Sequence, residues 1–333
     1  KKAPKTNFTE FESGWPSFGL NDKNNIVIDR PTPRTKDETA LYWATKVVEV
    51  SNIGGESGYN NNPVGVPILV NDYLYTYAKD KLFKIDKMSG EILEMGTMTG
   101  GTSTFAICSL AYGEGLIFVG LNGGTVQAFN AETLESVWVY RDSLGGQPNG
   151  QLTYNDGYLY TGFWNGESKT ANYSCISVTD EDPADTKETK LATWSHTQMG
   201  GFYWAGAYVD EDYLYIGTDD GSAEGTSTNT HLLSIDKHNG KVIDDVALPG
   251  GGDIRCSVTC YEGKLYFTSK GGYFYEAEFD PKTGDIGEIR YLKLENGTDY
   301  PPMSTSTPTI YNGRAYIGVS GKGQFIPYSG HNI

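Results

Sequence analysis

Positive charge is scarce in this chain: 26 lysines and arginines stand against 42 aspartates and glutamates, a net charge of −16. Nucleic-acid affinity rests mainly on cations facing phosphates, so this balance argues against a nucleic-acid partner. Apolar runs are short, and none approaches the ~18 residues that span a bilayer as a helix. Only four cysteines occur, Cys108, Cys175, Cys256 and Cys260. The last two lie in RCSVTC, an alternating strand-like run that sets them roughly 13 Å apart, beyond disulfide reach. No further Cys or His stands near them at zinc-ligand spacing, so buried free thiols and no metal are expected. The four histidines are scattered, with no pair at i, i+4. G-x-S-x-G, H-E-x-x-H, phosphate-loop and dinucleotide fingerprints are all missing, so no residue receives a catalytic role. A carboxylate pair for glycoside hydrolysis has no spacing signature and stays open.

Glycine and tyrosine, by contrast, are plentiful at 42 and 24 residues, which favours many short strands joined by tight turns. A turn followed by an apolar and then an aromatic residue recurs six times: DYLY, GLIF, GYLY, DYLY, GKLY and GRAY. The anchors Leu74, Ile117, Leu159, Leu214, Leu265 and Ala315 are 43, 42, 55, 51 and 50 residues apart. A period of this size with alternating patterns predicts an all-β β-propeller of four-stranded antiparallel blades. Nine residues before each anchor stand Gly65, Cys108, Gly150, Ala205, Cys256 and Ser306, all small. That column fits an inner strand starting at a crowded axis. Pro67 and Pro308 share another column there, which predicts a strand with a free edge on the channel. The aromatic column (Tyr75, Phe118, Tyr160, Tyr215, Tyr266, Tyr316) is expected to wedge between blades. Asp180, Asp182 and Asp185 lie in a long turn without EF-hand spacing, which reads as a solvated acidic loop.

The anchor strands with their following A-x-D-x-x-T-G-x-x-x-W-like turns resemble the quinoprotein-type propellers, built of PQQ-like repeats. WPSFG (15–19), NNIVID, PTP and LYWATK (41–46) resemble the lead-in segment of that family. The resemblance implies residues 1–44 as an N-terminal segment, with a strand around 41–46 closing the ring, and residues 45–333 as propeller. Six repeats are visible, the last incomplete after SGKGQFIPYSGHNI, and the family implies seven or eight blades in a complete ring. Catalytic members imply a quinone (PQQ) stacked between a Trp and a vicinal disulfide, with calcium held by acidic and amide groups. Here no two cysteines are adjacent. The turn-closing Trp stands only at Trp138 and Trp194, and Leu93, Ile243 and Ile289 replace it elsewhere. No cofactor is therefore expected; a PQQ-dependent dehydrogenase or a carbohydrate-active enzyme is the alternative.

Ligands of propellers meet the face built from two loop sets, those that lead into the inner strands and those that join strand two to strand three. Five of the first set carry Gly-Gly, which lets the backbone bend tightly over the mouth. They present Gln147, Asn149, Tyr203, Trp204, Asp253, Arg255 and Tyr300; the second set adds Trp164, Asn165, Asp219, Asp220 and Lys270. Aromatic rings among amides and carboxylates suit a glycan or peptide. Asp253 and Arg255, two apart on one strand face, are expected to pair with each other or with neighbours. The expected function is binding of an extracellular polymer or partner protein by a monomer that is secreted or held at the cell surface. A chain starting without Met fits loss of a signal peptide or anchor.

Overall fold

Two-residue turns set the register of the sheets. Glu114–Gly115, Asp156–Gly157, Glu262–Gly263 and Asn312–Gly313 all have positive φ, from 47° to 84°. This is the type I′ geometry, whose twist matches the strands it joins. Gly157 takes φ 84° there without the Cβ penalty any other residue would meet. In the computed structural model, residues 7–47, 64–99, 101, 110–148, 150–222, 229–297, 299 and 301–320 are described.

The described strands form six sheets in chain order, each starting from an inner strand and stepping outward by antiparallel neighbours. Blade one runs Ile68–Val70, Tyr73–Ala78, Lys81–Asp86 and Ile92–Thr97; blade two runs Leu110–Gly113, Leu116–Leu121, Thr125–Asn130 and Ser136–Arg141. Blade three has Thr153–Asn155, Tyr158–Gly162, Thr170–Ser177 and Trp194–Met199. Blade four has Tyr208–Val209, Tyr213–Gly217, His231–Asp236 and Val242–Ala247, and blade five Thr259–Tyr261, Lys264–Ser269, Tyr273–Phe279 and Ile286–Lys293. The sixth sheet holds Thr309–Tyr311 and Arg314–Tyr316. The all-β propeller expected from the repeats is the fold.

Core is made between blades. Ile68, Tyr75 and Leu82 of blade one cluster with Ile117, Val119 and Phe129 of blade two, and each following pair of blades through the fifth repeats the pattern. Four of the aromatic column, Tyr75, Phe118, Tyr160 and Tyr215, sit in these seams, whereas Tyr266 stacks on Phe274 of its own blade and Tyr316 is 53% exposed. Tyr75 Oη donates to Ala131 O of the next blade at 2.6 Å, and Tyr215 meets Phe279 of the next blade at 4.8 Å between centroids. Cys175, Cys256 and Cys260 are buried free thiols, while Cys108 lies outside the described residues. The small column is packed as expected, since a Cβ on Gly150 would stand 2.6 Å from Ala205 O.

The acidic turn of blade three is more ordered than a solvated loop. Glu188–Lys190 adds as a parallel strand outside blade two, and Lys190, 3% exposed, donates to Thr179 O and to Glu181 Oε1 at 3.1 Å.

Two expectations about the inner strands change. The channel edge of blade one is not free: Ser13–Trp15 pairs antiparallel with Ile68–Val70, and Pro67 only precedes that strand. From there the N-terminal segment crosses the channel. Tyr112 N donates to Pro16 O at 2.8 Å, and Gln151 Nε2 donates to Asn24 Oδ1 at 2.8 Å. Asn24 Nδ2 donates to Ala207 O and Val258 O, both at 2.9 Å, and Asn25 exchanges two bonds with Ile310. The segment thus reaches all six sheets and satisfies edge groups that an empty channel would leave to water.

Second, residues 41–47 form no strand. Leu41 and Tyr42 are exposed, while Trp43 docks on blade one, its Nε1 donating to Lys87 O at 3.0 Å. Trp194 docks on blade four in the same way, donating to Lys237 O at 2.8 Å. Lys87 and Lys237 each follow the Asp that opens an equivalent turn. Trp43 therefore stands where the outer-strand Trp of a preceding blade would stand, although its segment lacks a strand partner among the described residues.

Candidate functional site

The loops after the second strands of blades three, four and five converge with the loops that lead into the inner strands of blades four and five. Arg255 is at the centre. Its guanidinium donates to Asp219 through Nε (3.2 Å) and Nη2 (2.7 Å), and to Glu167 Oε2 at 2.6 Å. Asp253 Oδ2 lies 3.0 Å from Arg255 Nη2 and accepts from Lys270 Nζ at 2.7 Å, so the expected Asp253–Arg255 pair is present. Asp220 N donates to Asp253 Oδ1 at 3.0 Å, which ties the blade-four loop to blade five.

Aromatic rings floor the guanidinium. Arg255 Cζ lies 4.7 Å from the Tyr203 centroid and 6.0 Å from that of Trp164. Tyr203 stacks in turn on Trp164 and on Trp204, each at 4.6 Å. Trp204 adopts φ 56°, a left-handed conformation that costs a bulky residue about 1–3 kcal/mol unless packing holds it. The stack supplies that packing.

Burial sets the electrostatics. Asp219 and Asp253 are fully buried, and Arg255 is 6% exposed. Burial works against the Arg255 charge, but Asp219, Asp253 and Glu167 more than reverse it and raise its pKa. Burial likewise raises the Asp253 carboxyl, yet Arg255, Lys270 and the Asp220 N–H prevail and hold it below its ordinary value. Asp219 carries the surplus: burial, only partly offset by Arg255, raises it well above the ordinary carboxylate value.

Eight of the residues singled out from the sequence, Trp164, Tyr203, Trp204, Asp219, Asp220, Asp253, Arg255 and Lys270, are brought together. Their exposure differs from expectation, since Tyr203 and Trp204 are each 8% exposed and lie beneath the face. Gln147 joins through its backbone, exchanging N–H···O bonds with Trp164. Asn165 is on the rim, donating to Thr170 O at 3.0 Å and Leu144 O at 3.3 Å. Asn149 and Tyr300 lie outside the described residues. Glu167 was not singled out; its signal was an acid three residues after Trp164 in the same strand-joining loop.

Oxygens of Glu167, Asp219 and Asp253 lie within 4.8 Å of one another, the one such trio of metal-ligand type among the described residues. That spacing alone suits a cation. The cation present is the guanidinium, and a calcium ion at the centre would have to displace it. These residues therefore do not fit calcium, and with no vicinal cysteines in the chain they do not fit a stacked quinone either.

Comparisons with known proteins agree with the propeller fold. Residues 40–172 match a PQQ-type family model described as outer membrane protein assembly factor BamB. A quinohemoprotein alcohol dehydrogenase from Pseudomonas putida is similar in fold, with 15% identity, TM-score 0.61, and coverage of 92% of this chain and 51% of that one. The quinohemoprotein alcohol dehydrogenase from Comamonas testosteroni gives 14% identity, TM-score 0.56, and coverage of 86% and 50%. BamB from Moraxella catarrhalis gives 14% identity, TM-score 0.50, and coverage of 74% and 66%. The chain thus spans about half the length of these dehydrogenases. No curated protein sequence matches the chain.

Proposed function

With a β-propeller of PQQ-like repeats as the premise, we propose that this chain is a binding or scaffold module that holds a partner protein on its Gly-Gly face. The observation that carries the reading is the state of Arg255: it occupies the three carboxylates that form the one cluster of metal-ligand type among the described residues. The cluster then acts as a rigid base for the loops above it.

Those loops present a suitable surface. Leu144 and Met199 are 45% and 46% exposed and line, with Asn165 and Lys169, a shallow depression of about 530 Å³. Apolar side chains ringed by an amide and an ammonium suit a peptide segment. A glycan would want an open ring face, and Tyr203 covers one face of Trp164. The match to an assembly factor favours a protein partner in the same sense. Secretion or display at the cell surface, a monomeric state, and a complete ring of seven or eight blades belong to the same proposal. The docking of Trp43 where a preceding blade's Trp would sit supports the larger ring.

The rival reading, a quinone-dependent dehydrogenase, takes support from the dehydrogenase folds but requires Arg255 to leave its carboxylates. The test is a pull-down from the source cells with the native chain and a Leu144→Glu, Met199→Glu double variant of equal melting temperature, beside a glycan array. A partner captured by the native chain and lost by the variant supports the proposal. Equal capture by both, or binding only to glycans, refutes it.

A further inference from the structure

Of the side chains that line the depression between Leu144 and Met199, Lys169 alone is charged. Its ammonium has no ion-pair partner among the described residues. The stem lies across Gly166, with Cδ 3.6 Å from the place a Cβ would take there. The carboxylates nearest along the chain are engaged elsewhere. Glu167 Oε2 accepts from Arg255 Nη2 at 2.6 Å. Asp142, 7% exposed, accepts from Tyr140 Oη at 2.9 Å and from Asn172 Nδ2 at 3.0 Å. A chain of net charge −16 thus keeps one local positive site on this part of the face. Salt confines the repulsion from the remaining surface to about 8 Å, so the groups at contact range decide which charge is accepted.

Two apolar side chains flank the cation, and both are held in place. Leu144 N donates to Asp142 Oδ2 at 2.9 Å and Leu144 O accepts from Asn165 Nδ2 at 3.3 Å, so a fixed backbone presents a half-exposed side chain. Met199 Cγ lies against Gly221, 2.7 Å from where a Cβ would stand. Gly200 N donates to Lys169 O at 2.9 Å, which sets the cation beside Met199. Asn165 donates both amide hydrogens, to Leu144 O and Thr170 O, which leaves Oδ1 to accept. Groups ordered in advance lose little freedom when a ligand arrives.

We propose that this depression recognises an extended peptide segment carrying an aspartate or glutamate side chain between apolar residues. The carboxylate pairs with Lys169 Nζ, the apolar side chains lie on Leu144 and Met199, and a backbone N–H of the segment bonds Asn165 Oδ1. This rests on the reading of the Gly-Gly face as a partner-holding surface and narrows the partner to acidic–apolar segments. The same cation repels a basic segment, which adds discrimination to attraction.

Selection of random heptamers, displayed at the N-terminus of a phage coat protein, tests this on the whole chain. Sequences kept by the native chain and lost by a Leu144→Ser, Met199→Ser variant depend on the depression, and they should be rich in Asp or Glu beside apolar residues. Lys169→Glu, of equal melting temperature, should instead select Lys or Arg beside the same apolar residues. In fluorescence anisotropy an end-blocked winning peptide should bind about two- to fivefold more weakly once its acid becomes the amide, from loss of one exposed ion pair. Depression-dependent sequences without enriched acids, or the same acids selected by Lys169→Glu, overturn the proposal and leave a partner-holding face intact. Enrichment only from a library with free C-termini also overturns it, since the carboxylate would then be a chain end. No depression-dependent sequence at all overturns both this proposal and the reading beneath it.

Discussion

Replacing Arg255 by methionine keeps much of the side chain's stem and removes its charge. In the native protein this one guanidinium contacts three carboxylates, two of them fully buried. Breaking a buried pair by removing one partner costs about 3–5 kcal/mol, because the remaining charge is left uncompensated. For a chain of this size that amounts to a fall of roughly 4–7 °C in melting temperature. The deficit should depend on pH with a definite sign. Without Arg255, burial acts on Asp219 unopposed and on Asp253 opposed only by Lys270 and the Asp220 N–H, so both folded pKa values should rise above their unfolded ones. A carboxyl with a raised folded pKa takes up a proton that the unfolded chain does not, so folding gains as pH falls toward the unfolded value. The Arg255→Met deficit should thus be largest at neutral pH and narrow on acidification toward pH ~4–5. Urea midpoints followed by tryptophan fluorescence read both effects. A variant as stable as the native chain, or a deficit that widens on acidification, would refute the reasoning.

Cys256→Leu should destabilise by roughly 1–3 kcal/mol through overpacking, since Sγ already stands 3.3 Å from Thr268 N, whereas Cys256→Ser should change the midpoint little. Burial pushes the Cys175 thiol up to about 12 and the Cys256 thiol up to about 11. Both should therefore resist iodoacetamide at pH 8 in the folded chain and react once urea unfolds it, as peptide mass spectrometry would show; labelling of either in the native state would count against the seam assignment. Adding pyrroloquinoline quinone with calcium should yield no dye-linked oxidation of alcohols or sugars. Turnover that requires the quinone would restore the enzyme reading.

The repeats made the sheet architecture legible because each blade restates one pattern. Alternation, a turn with positive φ and an aromatic for the seam recur at fixed offsets, and Tyr75 and Tyr215 stand in the seams as expected. The channel plug carries no such signal. Asn24 bonds Ala207 and Val258, more than 180 residues along the chain, and NNIVID has no period that would reveal partners on three blades. Trp43 was readable as belonging beside a blade, but not that its segment would dock without strand pairing. At the site, the loop positions were legible from the Gly-Gly spacing, and the Asp253–Arg255 pair from a two-residue offset. Depth was not. Whether a Trp after Gly-Gly faces solvent or turns under depends on φ at that residue, and Trp204 turns under at 56°. Glu167 escaped because a lone acid in a loop is indistinguishable from a solvated one until Arg255 arrives from another loop 88 residues later.

A photo-crosslinking amino acid placed at Met199, on the Gly-Gly face, and separately at Lys282, at the opposite ends of the strands, tests the binding role most directly in the source cells. Irradiation should give a discrete adduct with one protein from the Met199 position and none from the Lys282 position. Adducts of equal yield from both positions, or none from Met199, would contradict the assignment of that face as the partner-holding surface.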